Sequence, residues 1–294
     1  MKKKDFLPYT LLFIHPIFMA SNLIVARGGV EHVPPISLAF WRWFFVFLLL
    51  ALFNYKIFSK KRILFKEYKK LFFLGIMGCG VCGAFPFIAG QTTTVINMGI
   101  IYTSSPIFII LISYFFFKEK MSFFKFIGLL SCFIGVLIII IKGEYSTLIS
   151  LKFTKGDLWM LGASIGWALY SIFLFNWNSA LNVFERLTAV SFFGALSLLP
   201  FYLFEQNFIA NTLFNAKFLF WVLFAAISPG IIAFILYTYT QKYLGATTTG
   251  FTLYLYTVYG AFYGILFFGE TLEVFHIYGT ILVFLGVYLV RKKA

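Results

Sequence analysis

Arg42 is a lone cation inside an apolar stretch, residues 35–55, flanked by Trp41 and Trp43. It lies about seven residues, hence roughly 10 Å, from the start of that stretch. A charged side chain within hydrocarbon costs at least about 2.5–3.5 kcal/mol, so it faces a cavity, a partner or the interface. A guanidinium is a two-pronged donor suited to a carboxylate. It can equally snorkel to the membrane surface, where Trp neighbours gather, or pair with helix ends. His15 sits beside Pro16 near the middle of another apolar run. A neutral imidazole there could relay protons or bind a ligand. It could also pack beside a kink and use the carbonyl that the proline frees. Ser21 and Asn22 follow one to two turns later, on a path toward the same cavity or a neighbouring helix.

Two further groups of polar residues lie in apolar surroundings. One holds Gln91, Asn97, Tyr102, Thr103, Ser104 and Ser105; the other includes Tyr237, Gln241, Thr247, Tyr254, Tyr256 and Tyr259. Tyrosine joins an apolar ring to a donor–acceptor tip, so these residues could line an aromatic, weakly polar cavity. Such a cavity suits an amphipathic or aromatic small molecule. The competing expectation is interfacial tyrosine and helix–helix hydrogen bonding. Three cysteines, Cys79, Cys82 and Cys132, fall inside apolar runs without a histidine cluster to complete a metal site, and are expected to pack. No glycine-rich phosphate cradle appears, so no ATP-driven step is expected within this chain. Glu119 and Glu270 end apolar runs near opposite surfaces, which favours helix-end roles over ion coupling. The stripes Gly75/Cys79/Gly83, Gly162/Gly166 and Gly260/Gly264 are expected to let helices approach closely.

The elements that must position these residues follow from composition. Of 294 residues, 61% are apolar and only 12% charged, against about 45–50% and 25% in soluble domains. A polytopic membrane protein results. The charge-free runs, each near the roughly 20 residues that a span needs, give ten helices: 6–26, 35–55, 71–90, 95–117, 124–141, 158–177, 187–204, 218–240, 246–268 and 274–291. The turn Gln91-Thr92-Thr93-Thr94 divides the longest run. Placing the N-terminus in the cytoplasm leaves only Arg27, Lys142, Lys152, Lys155 and Lys217 on the outer side and Arg42 in the membrane. The rest of the 24 basic residues collect inside, as the positive-inside rule requires. The net charge of +14 is therefore a topology signal, and no nucleic-acid partner is expected. The loop Lys56–Lys70 could also touch anionic membrane lipid.

The halves repeat. Displaced by 151 positions, Gly128 meets Gly279, Gly135-Val136 meets Gly286-Val287, and Glu119 meets Glu270. Five helices per half is an odd number, so the halves, 1–142 and 143–294, would be inverted. Inverted repeats build alternating-access transporters with a site near the midplane.

At these residues the chain resembles the EamA-type members of the drug/metabolite transporter superfamily. The motifs are Ser104-Ser105-Pro106, Phe117-Lys118-Glu119, Gly156-Asp157-Leu158, Trp167-Ala168-Leu169-Tyr170 and Phe268-Gly269-Glu270, in order over nearly the whole length. Two positions depart from the family pattern: Thr257 stands for a proline and Met19-Ala20 for Trp-Gly. The resemblance implies an all-α, ten-helix fold in a bacterial inner membrane with both termini cytoplasmic. It implies secondary transport of small metabolites, often amino-acid export, with no cofactor beyond possible proton coupling and with substrate and lipid as partners. It adds Trp167 and Tyr170 to the candidate cavity. An integral-membrane enzyme acting on lipid would need clustered acids at one interface; the outer acids lie on separate loops. A lipid or drug translocator is the third class.

Overall fold

A computed structural model of the chain describes residues 6–93, 98, 101–118, 122–141, 144, 146, 149, 154–268 and 271–290. The expectations for Glu119, Glu270 and Asn97 lie outside these residues, as do those for Lys142, Lys152 and the terminal lysines.

The described residues form helices and turns, with no strand among them. α1 (Phe6–Ile24) runs into a π-helical turn, Val25–Gly29. α2 is Pro35–Phe53. α3 (Lys61–Leu74), a π segment at Gly75–Val81 and α4 (Cys82–Ala89) form one continuous rod. α5 is Ser105–Phe117, α6 Phe123–Ile140, α7 Lys155–Asn176 and α8 Val183–Phe208. α9 (Ala216–Ala226), a second π segment at Ile227–Ile232 and α10 (Ala233–Leu244) form another rod. α11 (Ala246–Gly250), α12 (Thr252–Phe268) and α13 (Val274–Val290) complete the chain. Seven helices are long and apolar enough to cross a membrane, and 105–117, 123–139 and 274–289 are shorter apolar helices.

Local chemistry fixes the boundaries. α8 starts four residues before the apolar run because Asn182 and Glu185 cap each other's backbone N–H groups at 2.9 Å. α7 starts early because the Asp157 carboxylate accepts the Thr154 N–H at 2.6 Å. Asp157 also accepts from the Thr93 hydroxyl, tying the turn after α4 to α7. α2 begins at Pro35, where a missing N–H costs nothing. Its next two donors, the N–H groups of Ile36 and Ser37, go to the buried carboxylate of Glu205 at 3.0 and 2.6 Å. Gly245, at φ 84°, separates α10 from α11 in one residue.

Two expectations change. The loop Lys56–Lys70 is helical: a 3₁₀ turn at 55–60 and then α3. Its Lys, Arg, Glu and Leu residues are strong helix formers, and the helix continues unbroken into the apolar run. The fourth and ninth runs are each interrupted, at Thr103–Ser104 and at Phe251. Pro106 lacks the N–H that would extend a helix backward. Hydroxyls cover the carbonyls at these breaks: Ser104 and Ser164 donate to Ile101 O, and Thr252 donates to Thr249 O. Within hydrocarbon such groups have no water to turn to.

The helices pack in matched pairs. α1 lies against α10 and α12, whereas α7 lies against α4 and α5; α2 packs on α8, and α6 on α13. In the last pair Ser131 donates to Leu282 O at 2.8 Å, and the Cys132 thiol to Val283 O at 3.5 Å, each 151 residues ahead. A Cβ on Gly135 would meet Gly279 O at 2.6 Å, and one on Gly286 would meet Gly128 O at 2.6 Å. The two helices are therefore antiparallel with backbones in contact. The expected small-residue stripe on α3–α4 behaves likewise: a Cβ on Gly75 would lie 2.7 Å from the Gly194 nitrogen of α8, and one on Gly83 would lie 2.7 Å from the Trp43 indole nitrogen.

Candidate functional site

Arg42 is 4% exposed and lies deep in the bundle. One guanidinium nitrogen donates to Asn22 Oδ1 at 2.9 Å, another to the Pro229 carbonyl at 3.0 Å. Its Nε has no hydrogen-bond partner among the described residues. The guanidinium carbon sits 4.8 Å from the centre of the Trp43 ring. Cys79, Cys82, Tyr102 and Tyr256 lie within electrostatic range. Among the described residues no carboxylate pairs with it. The interfacial expectation for Arg42 and Trp43 therefore fails: Trp43 is 1% exposed and packs edge-on against Phe234 at 4.9 Å. The side chain points inward because two oxygens wait there, one of them a carbonyl inside a π segment.

That π segment supplies the second contact. The sequence Ile227-Ser228-Pro229-Gly230 winds as part of a π turn, and its Pro229 carbonyl accepts from the Arg42 side chain. Next to it the Ser228 and Ser21 hydroxyls share a 2.7 Å hydrogen bond, joining this segment to α1. Asn22 bonds Arg42 and lies within hydrogen-bonding reach of the Tyr256 hydroxyl. The Tyr256 ring stands 5.5 Å from that of Tyr102. Arg42, Asn22, Tyr102 and Tyr256 thus converge from four separate parts of the chain.

An aromatic wall continues from Trp43. Phe234 meets Trp167 at 5.6 Å, Trp167 meets Tyr170 at 5.4 Å and Tyr237 at 5.1 Å, and Tyr237 meets His15 edge-on at 5.4 Å. The Tyr237 hydroxyl shares a 2.5 Å hydrogen bond with Ser171, and Gln241 Nε2 donates to the Ser171 hydroxyl and carbonyl at 2.8 Å. Both ring nitrogens of His15 and the indole nitrogen of Trp43 are buried with no hydrogen-bond partner among the described residues, while the indole of Trp167 lies within hydrogen-bonding reach of the Tyr237 hydroxyl. Burying such groups unpaired costs about 1–3 kcal/mol each.

Three candidates fall elsewhere. Gln91 is exposed just after α4. Ser105 is buried at the start of α5, and its hydroxyl has no hydrogen-bond partner among the described residues, Arg42 included. Tyr254 belongs to a second apolar cluster with Cys132, Phe251 and Val283, against the α6–α13 pair. Periodicity missed Ser228, Pro229 and Ser171. Their signal was a Ser-Pro-Gly triplet inside an otherwise smooth apolar run, which breaks the α-helical ladder. Cys79 and Cys82, expected to pack, do so; the Cys82 thiol donates to Ala163 O at 3.3 Å, and both also flank Arg42.

The description "EamA-like transporter family" fits residues 6–141 and again residues 154–292. The chain belongs to the EamA-like transporter family. Its relatives agree. An uncharacterized transporter of Archaeoglobus fulgidus is 26% identical over 97% of both chains. The uncharacterized transporter YyaM of Bacillus subtilis is 26% identical over 82% of this chain and 79% of its own. A solved crystal structure shares the fold, with a TM-score of 0.72 over 96% of both chains at 17% identity. This EamA-like chain is thus a multi-pass membrane transporter of the drug/metabolite superfamily. The Arg42 cluster lies among helices drawn from both matched regions.

Proposed function

We propose that this transporter moves a small amphipathic metabolite bearing a carboxylate, such as an amino acid, outward by alternating access. The observation that carries this is Arg42. A buried guanidinium with no carboxylate partner among the described residues, in a cage of aromatic rings and hydroxyls, is a receptor for an anionic group on a partly apolar molecule. Transport of an uncharged lipid, or chemistry on one, gives such a cation no role.

The mechanism follows from two inverted five-helix repeats, residues 1–142 and 143–294, with ten spans and both termini in the cytoplasm of a bacterial inner membrane. Several features support it. The family description fits twice. Helix pairs come in matched sets, and Ser131 and Cys132 contact residues displaced by the repeat interval of 151. The two π segments, 75–81 and 227–232, end 151 positions apart. A residue touches its own repeat mate only near a two-fold axis, so the α6–α13 pair serves as the pivot. The π segments and the breaks at 103–104 and 251 supply the places where rods can bend. Arg42 reads both halves at once, because Asn22 belongs to the first and Pro229 to the second. Breaking one of those bonds as a carboxylate binds would couple occupancy to the relative position of the repeats. His15, with no hydrogen bond to lose, is the group assigned to proton coupling.

The test is counterflow in proteoliposomes against a metabolite panel at two pH values. Exchange of carboxylate-bearing amphipathic solutes is the expected result. A flat response to every carboxylate, with exchange of neutral or cationic solutes instead, would overturn the substrate class.

A further inference from the structure

Away from the Arg42 cluster, α3 and the turn between α7 and α8 enclose a cleft of about 660 Å³. Arg62, Lys66 and Lys70 line it, together with Glu67, Asn178 and Ala180. The three cations are four residues apart and share one helix face. Like charges so spaced repel each other, and one acid in the cleft against three cations leaves a positive excess. Glu67 is the acid in the cleft, and its carboxylate is engaged by the Ser179 hydroxyl at 2.5 Å and the Ala180 N–H at 3.0 Å. Glu185, close by, is held by Lys60 at 2.7 Å. Among the described residues no carboxylate pairs with Arg62, Lys66 or Lys70. Lys70 stands 6.0 Å over the Trp177 ring. The cleft is thus a preformed pocket with excess positive charge and an amide donor, Asn178, on its far wall.

Its rim is apolar. Phe65, beside Arg62 and Lys69 on the helix surface, is 80% exposed and stacks on Tyr68 at 5.9 Å. Phe72, one turn from Tyr68, is exposed as well. α3 belongs to the membrane-crossing rod 55–89, so these rings mark the level where the chain enters the bilayer. A cationic pocket at headgroup depth with aromatic rings facing outward fits a ligand that is an anion at one end and a hydrocarbon at the other. We propose that this cleft binds the phosphate of an anionic phospholipid, with Arg62, Lys66 and Lys70 around the phosphate oxygens and the acyl chains leaving past Phe65. The site is independent of the transported substrate.

Native mass spectrometry of the full-length protein in detergent tests this with three probes: dioleoylphosphatidylglycerol, dioleoylphosphatidylcholine and inorganic phosphate. The wild type is expected to retain phosphatidylglycerol over phosphatidylcholine. Arg62→Gln/Lys66→Gln is expected to weaken phosphatidylglycerol binding about 30-fold and Lys70→Gln alone about 5-fold. Lys217→Gln, on α9, should leave it unchanged. Equal retention of the two lipids by the wild type, or undiminished binding in both cleft variants, overturns the proposal. The wild-type comparison and the milder single variant decide the matter if the double variant does not fold. Displacement of phosphatidylglycerol by equimolar inorganic phosphate would assign the cleft to a soluble phosphate compound and overturn the lipid source.

Discussion

Arg42→Met separates a residue that holds the fold from one that holds a ligand. In the wild type the guanidinium makes two hydrogen bonds, to Asn22 and Pro229, and lies over Trp43. Hydrogen bonds to a charged group are worth about 1.5–3 kcal/mol each, and the ring contact adds about 0.5–2 kcal/mol. Against this stands the effective penalty of several kcal/mol for burying a cation without a carboxylate. These terms nearly cancel, and Met fills most of the same volume without a charge. Stability should therefore change by no more than about 2 kcal/mol. Transport should not survive. Losing a paired carboxylate contact of about 3 kcal/mol cuts binding by about two orders of magnitude. Arg42→Lys keeps the charge but loses the fork, so it should fall between the two. The assay pairs thermal unfolding in detergent with counterflow of a carboxylate-bearing metabolite. Wild-type transport by Arg42→Met would refute the receptor assignment. Collapse of the fold in both variants would refute the energy balance and make Arg42 structural.

Three other outcomes are expected. His15→Phe keeps the edge contact with Tyr237 and loses no hydrogen bond, so stability should stay within about 1 kcal/mol; uptake driven by a pH gradient should fail while counterflow persists, and loss of both together would remove His15 from coupling. Glu205→Gln leaves one carbonyl oxygen for the three donors of Ile36 and Ser37 and sets an amide against backbone N–H groups; a loss of about 2–3 kcal/mol in chemical denaturation is expected, and an unchanged midpoint would show that the α2 cap is dispensable. Gly75→Ala places a methyl 2.7 Å from a backbone nitrogen of α8 and 2.9 Å from the Val190 carbonyl. It should cost about 1–3 kcal/mol, read as a lower Tm, and an unshifted Tm would mean that α3 and α8 are free to part.

The contrast between Arg42 and Gln91 shows where sequence reasoning succeeds. Both are polar residues in apolar runs. Arg42 lies within a run, so its position marked it as exceptional, but cavity, helix-end partner and interface stayed open until packing placed it beside Asn22 and Pro229. Gln91 lies in the turn that the sequence already marks, and the structure decides that it is exposed there rather than part of the cavity. Tyr254 and Tyr256 make the same point within one helix. Two residues apart, they face different neighbours: Tyr256 meets Tyr102 at the Arg42 cluster, and Tyr254 packs with Cys132. A helix hydrophobic on every side offers no stripe to say which face is which.

Sequence by itself determined that this chain is an all-helical membrane protein, roughly where its helices lie, and that Arg42 and His15 sit in surroundings hostile to them. It could do so because hydrocarbon penalises charge strongly enough to write topology into composition. Tertiary structure alone decided which oxygens Arg42 reaches. The Pro229 carbonyl is 187 residues away, in a π segment that only helix packing brings beside Arg42. It also decided that a stretch resembling a basic loop is a helix with a cleft beside it. Such contacts depend on which helix faces pack together, and in a chain apolar all round that is settled by shape and by a few buried hydrogen bonds.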